Sequence, residues 1–152
     1  MNALIPCVID ASVLIKLFLQ EENTADVQYL IRCYLGEATP SALVVPDLVY
    51  IECANILLKK ARKQAYTVIA AHQSLAQLRL LALPTTPTSE LMERAVEIVC
   101  THDITAYDAC YVILAEQLNV SLLIADAQLA ERLNGSPHSV LTIQDYLDVL
   151  PT

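Results

Sequence analysis

The feature that most constrains this chain is a set of short runs, apolar at nearly every position, set between stretches patterned as helices. "LIPCVID", "ALVVP", "VSLLIAD" and "SVLTI" are such runs, and "LRLLALP" is a further candidate. A strand with one face in water alternates apolar and polar residues, whereas a strand covered on both faces does not. Runs of the second kind, separated by helices, imply a parallel sheet with helices on both sides, so the fold class is α/β. The intervening helices are read through "ASVLIKLFL", from a cap at Asn23 or Thr24 to about Gly36, and from Pro46 to about Arg62. Further helices are read near 67–78, 89–100 and 105–118, then in "AQLAERL" and "QDYLDVL".

A chain of 152 residues is the size of one domain with a substantial core. Its apolar fraction is 55%, yet no run approaches the roughly 18 to 20 apolar residues that a membrane-spanning helix needs. No membrane association is therefore expected. The segment "MNALIPCVID" has no basic region, and Asp10 interrupts its apolar stretch, which argues against a signal peptide and for a cytoplasmic location. The five cysteines form no CxxC pair and lie in apolar contexts, so they read as small buried hydrophobes in a reducing compartment. The histidines His72, His102 and His138 show no ligand spacing.

A net charge of −8 argues against a protein that coats nucleic acid through a basic surface. Glycine occurs only at Gly36 and Gly135, so neither a GxGxxG turn nor a GxxxxGK phosphate loop can form.

Most of the seventeen acidic residues suit solvated helical faces, but four do not. Asp10 and Asp126 each end an apolar strand, where ligands bind in open parallel sheets. Asp108 shares a helical stripe with Ile104, Tyr111, Val112 and Ala115, and Glu52 shares one with Leu48, Val49 and Ile56. Three of the four also have local explanations. Asp10 and Asp126 suit helix N-caps, and Asp108 suits a capping box with Thr105. Glu52 reads as lying well inside its helix, where a lone buried carboxylate costs several kcal/mol unless it is paired or protonated. The nine basic residues lie mostly at helix ends or on polar faces, which makes a cation from solution the simpler partner. Oxygen-only ligands favour a hard divalent ion, Mg²⁺ or Mn²⁺, over zinc. Such an ion among carboxylates points to metal-assisted phosphodiester hydrolysis, and it would let an acidic protein approach RNA.

The stretches "VIDASVLIK", "YIECANILL", "TAYDACYVILAEQL" and "LLIADAQLAERL", in this order and over nearly the whole chain, resemble the PIN-domain ribonucleases. The resemblance is greatest to the VapC toxins of bacterial and archaeal toxin–antitoxin pairs. It implies a three-layer sandwich with a five-stranded parallel sheet flanked by helices, formed by residues 1–152 as a single PIN-like domain. It also implies a Mg²⁺- or Mn²⁺-dependent endoribonuclease with Asp10, Glu52, Asp108 and Asp126 as metal-binding catalytic acids. Ser12 would serve as the small polar residue beside the first acid, and Asn55 matches an asparagine one turn after the glutamate. The implied partners are an RNA substrate, a cognate antitoxin and a second copy in a homodimer. Where the family usually places Ser or Thr two residues before the fourth acid, this chain has Ile124. That substitution removes a hydroxyl expected to support Asp126. "KKARK", residues 59–63, suits contact with RNA phosphates, and it equally suits the negative end of its own helix.

Two other readings compete. A phosphatase with Asp10 as aspartyl nucleophile would want a second aspartate two residues on, where Ser12 stands. A PIN-like binding or scaffold protein with weak or absent catalysis is favoured by Ile124 alone.

Overall fold

In the computed structural model, which describes residues 4–36 and 43–149, five parallel strands form one sheet in the order β3-β2-β1-β4-β5. The strands are β1 (Cys7–Ile9), β2 (Leu43–Pro46), β3 (Thr85–Thr86), β4 (Ser121–Ile124) and β5 (Val140–Thr142). Cys7, Val8 and Ile9 of the central strand are all buried, although successive side chains point to opposite faces. Both faces of the sheet are therefore covered, as the uninterrupted apolar runs imply. β1 pairs with β2 through Cys7–Leu43 and with β4 through Val8–Leu122. The chain leaves β1 toward β2 and leaves β4 toward β5, so the direction of progression reverses between β1 and β4. The carboxyl ends of these two strands form the topological switch point, the place where open α/β sheets bind ligands.

Among the described residues eight α-helices accompany the strands: α1 (Ala11–Leu14), α2 (Thr24–Gly36), α3 (Val49–Arg62), α4 (Val68–Leu80), α5 (Met92–His102), α6 (Ala106–Leu118), α7 (Ala127–Leu133) and α8 (Ile143–Val149). α6 lies across β1, β2 and β4, and all seven residues from Ala109 to Ala115 are buried. A helix apolar all round belongs in the middle of a core. No single helix among the described residues is long and apolar enough to cross a membrane. α5 and α6 pass that test only as a pair bent by 111°.

Four expectations need correction. The helix read through "ASVLIKLFL" ends at Leu14 and tightens into a 3-10 turn over Ile15–Leu17, with Phe18 N–H returning to the Ile15 carbonyl at 3.0 Å. Pro46 ends a strand instead of opening a helix. It pairs with Thr86, and Asp47 N–H continues the ladder to the Thr86 carbonyl at 2.9 Å, so α3 starts only at Val49. "LRLLALP" is not a strand: Leu78–Leu80 complete α4, Ala82 takes a left-handed conformation (φ 48°) that stops the helix, and the strand falls on Thr85–Thr86. The cysteines are not uniformly buried, since Cys100 is exposed and Cys33 half-buried on the outer sides of α5 and α2, although all five are unpaired. Ala42 and Leu150, the outermost residues of the expected second strand and terminal helix, lie outside the described residues.

The depth of β4 gives a direct check on this arrangement. Leu123 is fully buried at the sheet centre whereas Leu80 is 78% exposed. Urea unfolding should show a loss of roughly 2–5 kcal/mol for Leu123→Ala and a change within about 0.5 kcal/mol for Leu80→Ala.

Candidate active site

β1 ends directly in Asp10, whose backbone N–H still reaches the Leu123 carbonyl of β4 at 3.0 Å. Extended backbone at Asp10 then gives way to α1, and the carboxylate caps that helix by accepting from Ser12 N–H at 3.1 Å. The Ser12 hydroxyl also donates to the same carboxylate oxygen. It accepts in turn from Ala125 N–H at 3.1 Å. One side chain thus ties the end of β1 to the end of β4 across the switch point. Among the described residues Asp10 is the only buried carboxylate.

Asp126 stands two residues beyond β4, on the same rim but exposed. Its carboxylate caps α7 by accepting from the N–H groups of Gln128 (2.9 Å) and Leu129 (3.2 Å). Ile124 is fully buried in the sheet. Replacement of the usual hydroxyl there does not strip Asp126 of support, because backbone N–H groups hold it and Ser12 serves the adjacent Ala125. Asp108, in the first turn of α6, is half-buried. Thr105 Oγ1 donates to it at 2.8 Å and accepts from its N–H at 3.1 Å.

Glu52 is half-buried in the first turn of α3, because that helix begins at Val49. The expectation that it lies well inside its helix was therefore wrong, and the positive end of the helix dipole contributes to holding it. Its partner within the protein is Tyr111 of α6, whose buried hydroxyl donates to Glu52 Oε2 at 2.5 Å. Sequence reasoning placed Tyr111 on the Asp108 stripe but missed this contact, since nothing local joins positions 52 and 111. Asn55 is exposed, three residues further along α3. Lys60 of "KKARK" pairs with Glu21 at 3.2 Å. A further rim acid was also passed over: Asp47 follows β2 and accepts from Thr88 N–H at 2.8 Å.

The four predicted acids feel one another. Burial pushes Asp10 up from 3.8 to about 6, and the charge of Asp108 adds to the rise. Glu52 is pushed up to about 7 by burial first, then by Asp10 and Asp108, against the lowering effect of Tyr111. Asp108 is raised by burial and by Asp126, while Arg132 pulls weakly the other way. The ion pairs formed by the described residues use Glu21, Asp103 and Glu116, none of the four. As the side chains stand, no three His, Cys, Asp or Glu groups among the described residues come close enough to hold one ion together. Asp10 and Asp126 cap their helices, Asp108 accepts from the hydroxyl of Thr105, and Glu52 is turned to Tyr111. The donor chemistry of this mutually repelling, oxygen-only set fits a hard divalent cation; the hydrogen bonds above use one oxygen of each carboxylate, and ligation requires the acids to draw closer together than they stand.

Without a divalent ion, the buried charge of Asp10 opposes folding. Because its folded value lies above its unfolded one, its contribution to stability is greatest below about pH 4, declines up to about pH 6 and is flat above. Asp10→Asn keeps an acceptor for Ser12 and buries no charge. In EDTA it should match the parent near pH 4 and exceed it at pH 7 by on the order of 2–3 kcal/mol, as followed by urea unfolding at each pH. Equal stabilities at pH 7 would show that Asp10 is not destabilising when ionised.

The PIN domain model matches residues 7–133. Ribonuclease VapC3 of Pyrobaculum aerophilum is 32% identical over 127 residues, covering 82% of this chain and 92% of that relative. The crystal structure of PAE2754 from Pyrobaculum aerophilum superposes with a TM-score of 0.70 at 21% identity, covering 95% of this chain and 88% of the other. A toxin–antitoxin complex from Klebsiella pneumoniae contains a chain of the same fold, with a TM-score of 0.62 at 17% identity and coverage of 90% and 97%. A family match that spans all four acids, joined to a relative this similar over most of both sequences, makes the chain a member of the PIN domain family.

Proposed function

We propose that this chain is a metal-dependent endoribonuclease and the toxin of a toxin–antitoxin pair. The observation that carries the reading is the placement of Asp10 and Asp126 at the switch point of the sheet, with Glu52 and Asp108 brought into their electrostatic field and, among the described residues, no basic side chain in an ion pair with any of the four. These acids would hold Mg²⁺ or Mn²⁺. When bound, such an ion activates a water and neutralises charge that builds on the scissile phosphate. Ser12 orients Asp10, and the exposed Asp126 lies where a phosphodiester can arrive from solvent. The ribonuclease name of the Pyrobaculum relative supports RNA as the substrate, and sequence selection would rest on RNA shape and a few rim contacts.

The Klebsiella complex supports an antitoxin as partner. A groove of about 810 Å³ between α3 and α4, lined by Tyr50, Ile51, Ala54 and Leu75 among others, offers apolar surface to an antitoxin or to a second copy in a homodimer. Five unpaired cysteines support work in the cytoplasm.

The test uses the purified chain, free of antitoxin, with structured RNAs and either Mn²⁺ or EDTA. Cleavage is expected with Mn²⁺ only. Asp10→Ala and Asp108→Asn should each lower the rate by about 100-fold or more, since several kcal/mol of charge stabilisation are lost at tenfold per 1.4 kcal/mol. Cleavage that persists in EDTA or in both variants would overturn the reading, and so would its absence in the parent with Mn²⁺.

A further inference from the structure

Tyr111 sits in the fully buried run Ala109–Ala115 of α6, the helix that spans β1, β2 and β4. A buried phenol needs a partner for its O–H, or the desolvation cost stands unrelieved. Elsewhere in this protein that need is met by neutral groups: Tyr34 donates to the Ile5 carbonyl at 2.6 Å, and Tyr146 shares a hydrogen bond with Tyr34. Tyr111 differs, because its hydroxyl donates to Glu52 Oε2, a carboxylate on α3, 59 residues away in sequence. Phe would fill the same space in the core, so packing alone does not require the oxygen.

Building on the metal-centre reading, we propose that Tyr111 is a positioning residue for Glu52. It holds one carboxylate oxygen by a charge-assisted hydrogen bond and leaves the other, Oε1, to meet a divalent ion. A flexible glutamate on the first turn of a helix has several rotamers. A donor fixed in the core selects one of them before the ion arrives, and the entropy of that choice is not charged to binding. The same contact joins α3 to α6 and so couples the two helices that carry Glu52 and Asp108.

The experiment is a calorimetric titration with Mg²⁺ of the purified chain and of Tyr111→Phe, with Tyr146→Phe as the control for loss of a buried phenol remote from the acids. Tyr111→Phe should retain the parent far-ultraviolet circular dichroism and bind Mg²⁺ about 10-fold more weakly, the lower end of the range for partners of metal ligands. Tyr146→Phe should lower the midpoint of thermal unfolding and leave Mg²⁺ affinity within about twofold of the parent. A second measurement needs no variant: in the parent chain labelled at its seven tyrosines, the ring resonance of Tyr111 should shift on addition of Mg²⁺ while that of Tyr146 stays in place. Unchanged affinity in Tyr111→Phe, an equal loss in Tyr146→Phe, or a Tyr111 resonance that ignores bound Mg²⁺ would each overturn the assignment. If the parent binds Mg²⁺ and cuts RNA while the Tyr111 readouts fail, this proposal alone falls. If the parent binds no Mg²⁺, the metal-centre reading falls with it.

Discussion

The carboxylate of Asp10, buried at the end of the central strand, is the group around which the rest of this structure is arranged. A charge in that position opposes folding unless it is fully hydrogen-bonded, protonated or met by a cation. The chain supplies hydrogen bonds through Ser12 N–H and Oγ, and Ser12 in turn secures Ala125 beyond β4. Protonation is made easier by burial. A hard cation is the remaining device, the one that the proposed function invokes. The apolar strands β1 and β4 and the buried helix α6 act as the rigid frame that keeps this charge where it is least comfortable and most useful.

A carboxylate that caps a helix still has an oxygen to offer a ligand, so capping and the proposed ligation are not rival explanations of the same residues. Asp10 and Asp126 cap helices in this structure through backbone N–H groups, and Asp108 accepts from the hydroxyl of Thr105, the residue that caps its helix. A cap needs one oxygen and a defined backbone geometry, so it places the carboxylate at a fixed point on the rim and leaves further lone pairs for an ion. The helix starts are therefore the means by which the sheet presents its acids. Glu52 lacks a side-chain capping role, and the fold gives it Tyr111 instead.

Much of the fold was legible because the local physics is strong. Uninterrupted apolar strands such as "SLLI" need cover on both faces, and Thr105 before "AYDACYVILAEQL" marks a helix start that the structure keeps. The misreadings fell where local signals are ambiguous. "LRLLALP" has strand-like composition, but α4 carries Leu78 into the core and Ala82 ends the helix. Pro46 suits a helix start and a strand end alike, and its pairing with Thr86 decided for the strand. The four candidate acids stood out in the sequence because charge in an apolar setting is conspicuous at any sequence separation. Their partners were found only where they were near in sequence, as with Thr105 and Asp108.

The sequence by itself therefore determined the α/β class and singled out four acids as an oxygen-only candidate set, since each follows from residue type and local periodicity. Tertiary structure decided that Asp10 and Asp126 flank one switch point, that Ser12 joins their strands, and that the hydroxyl of Tyr111 meets Glu52. Those facts depend on strand order and on helices packed across the sheet. Contacts between residues 12 and 125, or 52 and 111, arise from the burial of the whole core and leave no periodic trace in the chain.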